Sequence, residues 1–192
     1  MKVKSQAAFD LHFSRATMAE FLDIVDDNDI VTGQAERTTI HQMGLQHRGV
    51  HVFLFDDNGR MLIQKRSADR TNSPSLLDCS VSEHVQAGES YLEAAVRGLR
   101  EEMGVEGIDL SLRGKIQMEY GVNDNEISVI YEGRLNGKSV QFDPVEISEV
   151  QFLSLAEIRE GITDQNHLFC GWFIEIMNWY FDKPTKLTVL EP

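Results

Sequence analysis

A chain of 192 residues with 42% hydrophobic and 26% charged residues has the make-up of one globular domain with a substantial core. Its net charge of −13 disfavours nucleic acid and anionic membrane as partners, and no apolar run reaches the roughly 20 residues of a membrane helix. Cys79 and Cys170 are too few for a disulfide framework and MKVKSQAAFDLHFSR has no apolar secretory segment, so the expected location is a reducing cytoplasm.

In chain order, residues 1–18 are polar and mixed and are expected to form a peripheral extension to a single domain over 19–192. EFLDIVDDNDIVTGQAER reads as two strands around an Asp-Asp-Asn-Asp turn. TTIHQMG is a helical turn or loop. GVHVFLFDDNGRMLIQKRS has the form of a hairpin, two apolar-rich runs joined through Asn58-Gly59. TNSPSLLD is loop chemistry and leads to a short strand around CSVSEH.

A helix follows. Ser90 and Glu93 fit a capping box, Leu92, Val96, Leu99 and Met103 recur at helical spacing as the expected buried stripe, and Gly104 supplies the stop. KIQMEYGV, EISVIYEGRL and EVQFLSL read as strands. A second capping box, Ser154 with Glu157, opens the helix SLAEIREGI, and HLFCGWFIEIMNWYF is an apolar final helix. Strands interleaved with helices predict a layered α/β domain.

Charge is unevenly spread. From Arg37 to Arg70 six basic residues (Arg37, Arg48, Arg60, Lys65, Arg66, Arg70) face three acids (Asp56, Asp57, Asp69), a basic island suited to a small anion. Further on, Glu101 and Glu102 are expected on the exposed side of the helix, where adjacent carboxylates can hold a hard divalent cation bridged to phosphate. Asp124 and Glu126 are two apart, so on a strand they share a face.

The spacing from Glu89 through Arg97, Leu99, Glu101 and Glu102 to Gly104 and Val105 resembles the Nudix box, G-x5-E-x7-R-E-U-x-E-E-x-G-U, where U is aliphatic. Two positions depart from it: Glu83 stands where the first glycine belongs, and Gly98 replaces the acid after the arginine. HRGVHVFLFDDNGRMLIQKRS, SVSEHVQAGES, the acids of DNE, and LFCGWF are similar to segments of one Nudix branch, the type 1 isopentenyl-diphosphate isomerases, which also lack an acid after the box arginine. This similarity runs from about Arg37 to Trp172. It implies a Nudix fold, an α/β/α sandwich with a mixed sheet, and a small-molecule diphosphate substrate.

The resemblance also implies roles for particular residues. His41, His47, His84, Asp124 and Glu126 would bind one ion, and three imidazoles with carboxylates suit Mn²⁺ or Zn²⁺. Arg37, Arg66 and Arg70 would clamp the diphosphate, for which guanidinium groups offer bidentate contacts. Mg²⁺ would sit between Glu102, beside Glu101, and the substrate's phosphate oxygens. His12, His51 and His167 are left as structural or surface residues.

The implied reaction moves a double bond by adding a proton to one carbon and removing one from another. Glu126, Tyr120 and Trp172 match the positions of that branch's pocket, but its cysteine position is occupied here by Ser82. A hydroxyl is a far weaker acid than a thiol of pKa about 8.5. Cys79, three residues away, is expected to point to the opposite face of a regular strand and to be buried. Two other functions stay open at this point. One is a Nudix diphosphohydrolase for a nucleoside or prenyl diphosphate, with Glu89, Glu101 and Glu102 on Mg²⁺ and Glu83 or Glu126 positioning water. The other is a diphosphate-binding protein whose chemistry has decayed.

Overall fold

The computed structural model describes residues 19–164 and 168–191. The expected extension over 1–18, with His12, and also His167 lie outside the described residues. Strands β1 (Phe21–Val25) and β2 (Val31–Glu36) form the expected hairpin, and the Asp26 carboxylate accepts from the backbone N–H of Asn28 and Ile30 in the turn. TTIHQMG becomes helix α1 (Arg37–Met43), ended by Gly44 at φ 64°, which places His41 on its last turn.

Strand β3 (His47–Phe55) is the spine of the sheet. It runs parallel to β8 (Asp124–Arg134) and antiparallel to β6 (Val81–His84). Residues 49–55 of β3 are all buried, as both faces of a central strand require. The expected hairpin of β3 with β4 (Met61–Arg66) survives at one pair, Phe55 with Met61. Beyond it the two strands splay. Each is apolar on both faces and takes other neighbours, β4 pairing with β5 (Leu77–Asp78) and β9 (Ile147–Leu153). Ser80 fills the gap: its hydroxyl accepts from Leu54 N at 2.8 Å and donates to Leu62 O at 2.7 Å.

Strands β7 (Ser111–Gly121) and β10 (Thr188–Leu190) extend the sheet beyond β8, the last a strand the sequence does not announce. Helix α2 (Tyr91–Met103) packs on one face with Val50, Val52, Leu54 and Val81. On the other face α3 (Leu155–Asp164) and α4 (Gly171–Tyr180) pack with Phe53, Phe55 and Ile130. The result is the expected α/β/α sandwich with a mixed sheet. No described helix is long and apolar enough to cross a membrane.

Two helix expectations need correction. Both capping boxes form, but the buried face of α2 is Ala94, Ala95, Gly98, Leu99, Glu102 and Met103, while Leu92 and Val96 are 48% and 47% exposed. Leu99 and Met103 of the expected stripe are buried, and the close approach of helix and strand falls at Gly98, while Leu92 and Val96 lie outside the contact. The apolar segment before Trp172 is not all helix either. Phe169 bridges Leu77, Cys170 N–H donates to Leu77 O, and the helix begins at Gly171.

Candidate functional site

The register of three neighbouring strands assembles a cluster of imidazoles and acids. His47 on β3 is paired with Glu126 on β8, and Gly49, two residues on, is paired with both His84 on β6 and Ser128 on β8. Paired residues share a face of the sheet, so His47, His84 and Glu126 converge, with Asp124 at the start of β8 and His41 above them from α1. A Cβ at Gly49 would lie 2.8 Å from Ser128 Oγ and collide with Glu126 Oε2. The missing side chain is what lets Glu126 lean across β3 toward the histidines.

The imidazole centroids of His41, His47 and His84 lie 5.0–5.2 Å apart. Asp124 Oδ1 is 3.2 Å from His41 Nδ1 and 4.0 Å from His47 Nε2, and Glu126 Oε1 is 3.6 Å from His47 Nε2 and 3.8 Å from His84 Nε2. Ligand atoms of the three histidines, and those of His47, Asp124 and Glu126, fall within 4.8 Å of one another. Buried polar atoms normally find partners, yet His41 Nε2, His47 Nε2 and Asp124 Oδ1 make no hydrogen bond. Orphaned imidazole and carboxylate atoms gathered this closely fit a borderline divalent ion.

The electrostatics of His84 and Glu126 agree, whereas those of His47 favour the imidazolium. Burial pushes His84 down to about 3, leaving it neutral. Burial opposes ionisation of Glu126, but His47 outweighs it and holds the carboxyl at about 2. Burial also opposes protonation of His47, whose pKa is nonetheless raised by the same carboxylate. A neutral imidazole and an ionised carboxylate are the forms that bind metal.

Beside the cluster opens a cavity of about 760 Å³, lined by Arg37, Arg66, Arg70, Ser82, Tyr120 and Trp172 among others. The basic island resolves into these three arginines; Arg48 pairs with Asp29 and Arg60 with Asp56. Each cavity arginine has an acid: Arg37 with Glu20 at 3.3 Å, Arg66 with Asp78 at 3.4 Å, Arg70 with Glu146 at 3.1 Å. A diphosphate would compete with these carboxylates for the guanidinium groups.

The box residues adopt an arrangement that the sequence does not reveal. Arg97 donates to Glu89 through Nε and Nη2 at 2.9 and 3.0 Å, to Glu83 at 2.7 Å and to the carbonyl of His84 at 2.8 Å. Glu101, the expected neighbour of Glu102 at a metal, pairs with Arg97 at 3.5 Å and with Arg100 at 3.6 Å. Glu102, expected to be exposed, is 4% exposed: its turn of α2 faces the sheet, where Gln64 Nε2 donates to its Oε2 at 3.0 Å. Its Oε1 is buried with no hydrogen bond, and burial, reinforced by the charge of Glu83, pushes its carboxyl well above the ordinary value.

Sequence reasoning missed two residues here. His51 lines the cavity and is the register partner of Ser82, with Nε2 3.1 Å from the Tyr120 hydroxyl. Tyr120 donates to Ser128 Oγ at 3.2 Å and Ser128 donates to Glu126 Oε2 at 2.9 Å, so His51 Nε2 is assigned as the donor to Tyr120. Its parity with His47 on β3, two steps of two, was the available signal. The second is Asp78, wholly buried behind Arg66 and Trp172. Nothing in its local sequence marks it.

Cys79 also departs from expectation. The chain leaves strand geometry between β5 and β6, and Sγ turns to lie 3.8 Å from His51 Nδ1, not on the far face from Ser82 and His84. It is still buried, as expected. Its thiol donates to Val81 O at 3.0 Å, and burial pushes its pKa well up.

Residues 45–170 match the NUDIX domain family. The isopentenyl-diphosphate Delta-isomerase of Serratia proteamaculans is 34% identical over 164 residues, covering 83% of this chain and 90% of that protein. A Streptomyces coelicolor protein called Nudix hydrolase SCO1686 is 38% identical over 141 residues, covering 73% of this chain and 77% of its own. Among solved structures, DR0079 from Deinococcus radiodurans aligns with a TM-score of 0.66 at 29% identity, over 83% of this chain and 98% of that one. The chain therefore belongs to the Nudix family, on the branch of the isopentenyl-diphosphate Delta-isomerases.

Proposed function

We propose that this enzyme binds isopentenyl diphosphate with a divalent metal and moves its double bond by proton transfer. The observation that carries the reading is the convergence of His41, His47, His84, Asp124 and Glu126 beside a cavity walled by three arginines and by Tyr120 and Trp172. The five ligands would hold Mn²⁺ or Zn²⁺, while the unpartnered oxygen of Glu102 would face Mg²⁺ brought in with the diphosphate. Bound metal supplies positive charge that orients the anionic groups of site and substrate.

The chain's own residues supply the rest. Arg37, Arg66 and Arg70 grip the diphosphate and so fix the position of the carbon end. Glu126, ionised and hydrogen-bonded by Ser128, is the proton acceptor. The Tyr120 and Trp172 rings, 6.3 Å apart, offer π faces to positive charge developing on the hydrocarbon. Ser82 occupies the acid's place on the wall next to His51.

The test is incubation of metal-loaded protein with isopentenyl diphosphate in D₂O, following the allylic protons. Formation of dimethylallyl diphosphate with deuterium uptake is expected. Absence of both ends this reading, and release of phosphate or pyrophosphate in its place selects hydrolysis.

A further inference from the structure

Asp78 has no route to solvent, and it does not line the cavity. Its two carboxylate oxygens are nevertheless spent on cavity residues. Oδ1 accepts from Trp172 Nε1 at 2.9 Å and from the backbone N–H of Cys79 at 2.8 Å, and Oδ2 accepts from Arg66 Nη1 at 3.4 Å. The triangle closes because the Arg66 guanidinium also lies over the Trp172 ring, 5.3 Å from its centroid. Arg66 is held from a third side by the carbonyl of Asn72, which accepts from Nε at 3.2 Å.

A buried ion pair is a weak source of stability, since apolar residues of the same volume often serve as well. What this pair does is geometric. It joins three elements, β4, β5 and α4, at the point where the arginine wall of the cavity meets the aromatic wall. The Arg66 contact is also long for a charge-assisted bond, which prefers about 2.7–2.9 Å, while the Trp172 bond is of full strength. An anion arriving at Arg66 therefore draws on the looser of the two bonds and leaves the indole tethered.

We propose that Asp78 is a positioning residue that couples the phosphate grip of Arg66 to the aromatic wall at Trp172, so that binding at the diphosphate end is registered where the carbon end lies. This rests on the reading of Arg66 as part of the diphosphate clamp. It does not depend on which reaction follows.

The experiment uses the full chain carrying Trp179→Phe, so that Trp172 alone reports by fluorescence, titrated with inorganic pyrophosphate and MgCl₂. A saturable change in Trp172 emission is expected. Asp78→Asn keeps an acceptor for the indole and the Cys79 amide but removes the charge facing Arg66. With the competing charge gone it should tighten pyrophosphate severalfold and abolish the emission change, and with isopentenyl diphosphate it should lower KM and kcat together. A merely structural role would reduce the active fraction and leave KM and the pyrophosphate response of the folded molecules unchanged.

Should Asp78→Asn fail to fold by circular dichroism, Trp172→Phe decides. It keeps an aromatic ring and loses only the N–H to Asp78, and reciprocity of coupling requires its pyrophosphate affinity to fall severalfold. Unchanged affinity in Trp172→Phe, a parent-like response in folded Asp78→Asn, or no Trp172 response to pyrophosphate in the parent overturns the proposal. Failure to isomerise isopentenyl diphosphate alone would count against the proposed reaction and leave this coupling standing.

Discussion

The side chain of Glu83 occupies part of the space that any side chain at position 98 would need. A Cβ at Gly98 would lie 2.6 Å from Val81 Cγ1 and 3.1 Å from Glu83 Cγ. The two departures from the Nudix box thus meet in space: the acid stands on the strand that faces the helix and the glycine on the helix, the reverse of the box pattern. The Glu83 carboxylate meets the box arginine at 2.7 Å.

Gly98→Ala should therefore destabilise the protein, although alanine is favoured over glycine in a helix by about 1 kcal/mol. Overpacking a tight core contact typically costs about 1–3 kcal/mol, which outweighs that gain. Urea denaturation should place the variant roughly 1 kcal/mol below the parent, and Gly98→Glu further below. An alanine variant more stable than the parent would show that the helix can move away from β6 freely.

Gly49 is the corresponding device at the metal cluster. Gly49→Ala should drive Glu126 off the histidines while leaving the sheet intact by circular dichroism. Displacing this proposed ligand should cost at least the roughly 10–100-fold in affinity that loss of a ligand's supporting partner commonly costs. Retained Mn²⁺ or Zn²⁺ after dialysis, with parent-like thermal stabilisation by the metal, would contradict this placement of Glu126.

Glu102 predicts a pH dependence. Burial raises its carboxyl well above 4.5, so above that pH the folded state holds a proton that the unfolded chain releases. Stability of the metal-free protein then declines as pH rises through this window. Glu102→Gln removes the loss and should be more stable than the parent at pH 8, with the difference shrinking toward pH 4.5. Added Mg²⁺ and pyrophosphate should stabilise the parent and not the variant. Equal pH profiles in urea titrations would remove Glu102 from both roles.

Ser82 can be tested by gain of function. Ser82→Cys puts a thiol of pKa about 8.5 beside His51, and positioned acid–base groups commonly contribute about 10²–10⁴-fold. Turnover of isopentenyl diphosphate should rise at least about tenfold, read as deuterium uptake at the allylic carbons. Cys79→Ala should leave the rate unchanged, because that thiol is buried and donates to Val81 O. The reverse pattern would make Cys79 the working thiol.

The elements that were legible in the sequence are those set by local chemistry. Ser90 and Ser154 cap helices through side chains three residues from their partners, and Gly44 and Gly104 end helices with φ values of 64° and 61°. Asp124 and Glu126 share a face because strand period is two, whatever surrounds them. The Nudix spacing itself is local and points to the fold, while the branch is legible in short segments spread from about Arg37 to Trp172.

What only the tertiary structure decided depends on which surfaces meet. Leu92 and Val96 share helical spacing with Leu99 and Met103, yet only the latter two are buried, because α2 turns the face carrying Ala94, Ala95 and Gly98 to the sheet. The apolar runs of β3 and β4 look like a hairpin, but strands buried on both sides must each find two neighbours, and splay to do so. Asp78, Arg66 and Trp172 are joined across 106 positions of chain, with no spacing rule linking them. Local propensity and periodicity act over a few residues; burial, register and the pairing of charges act between segments that only folding brings together.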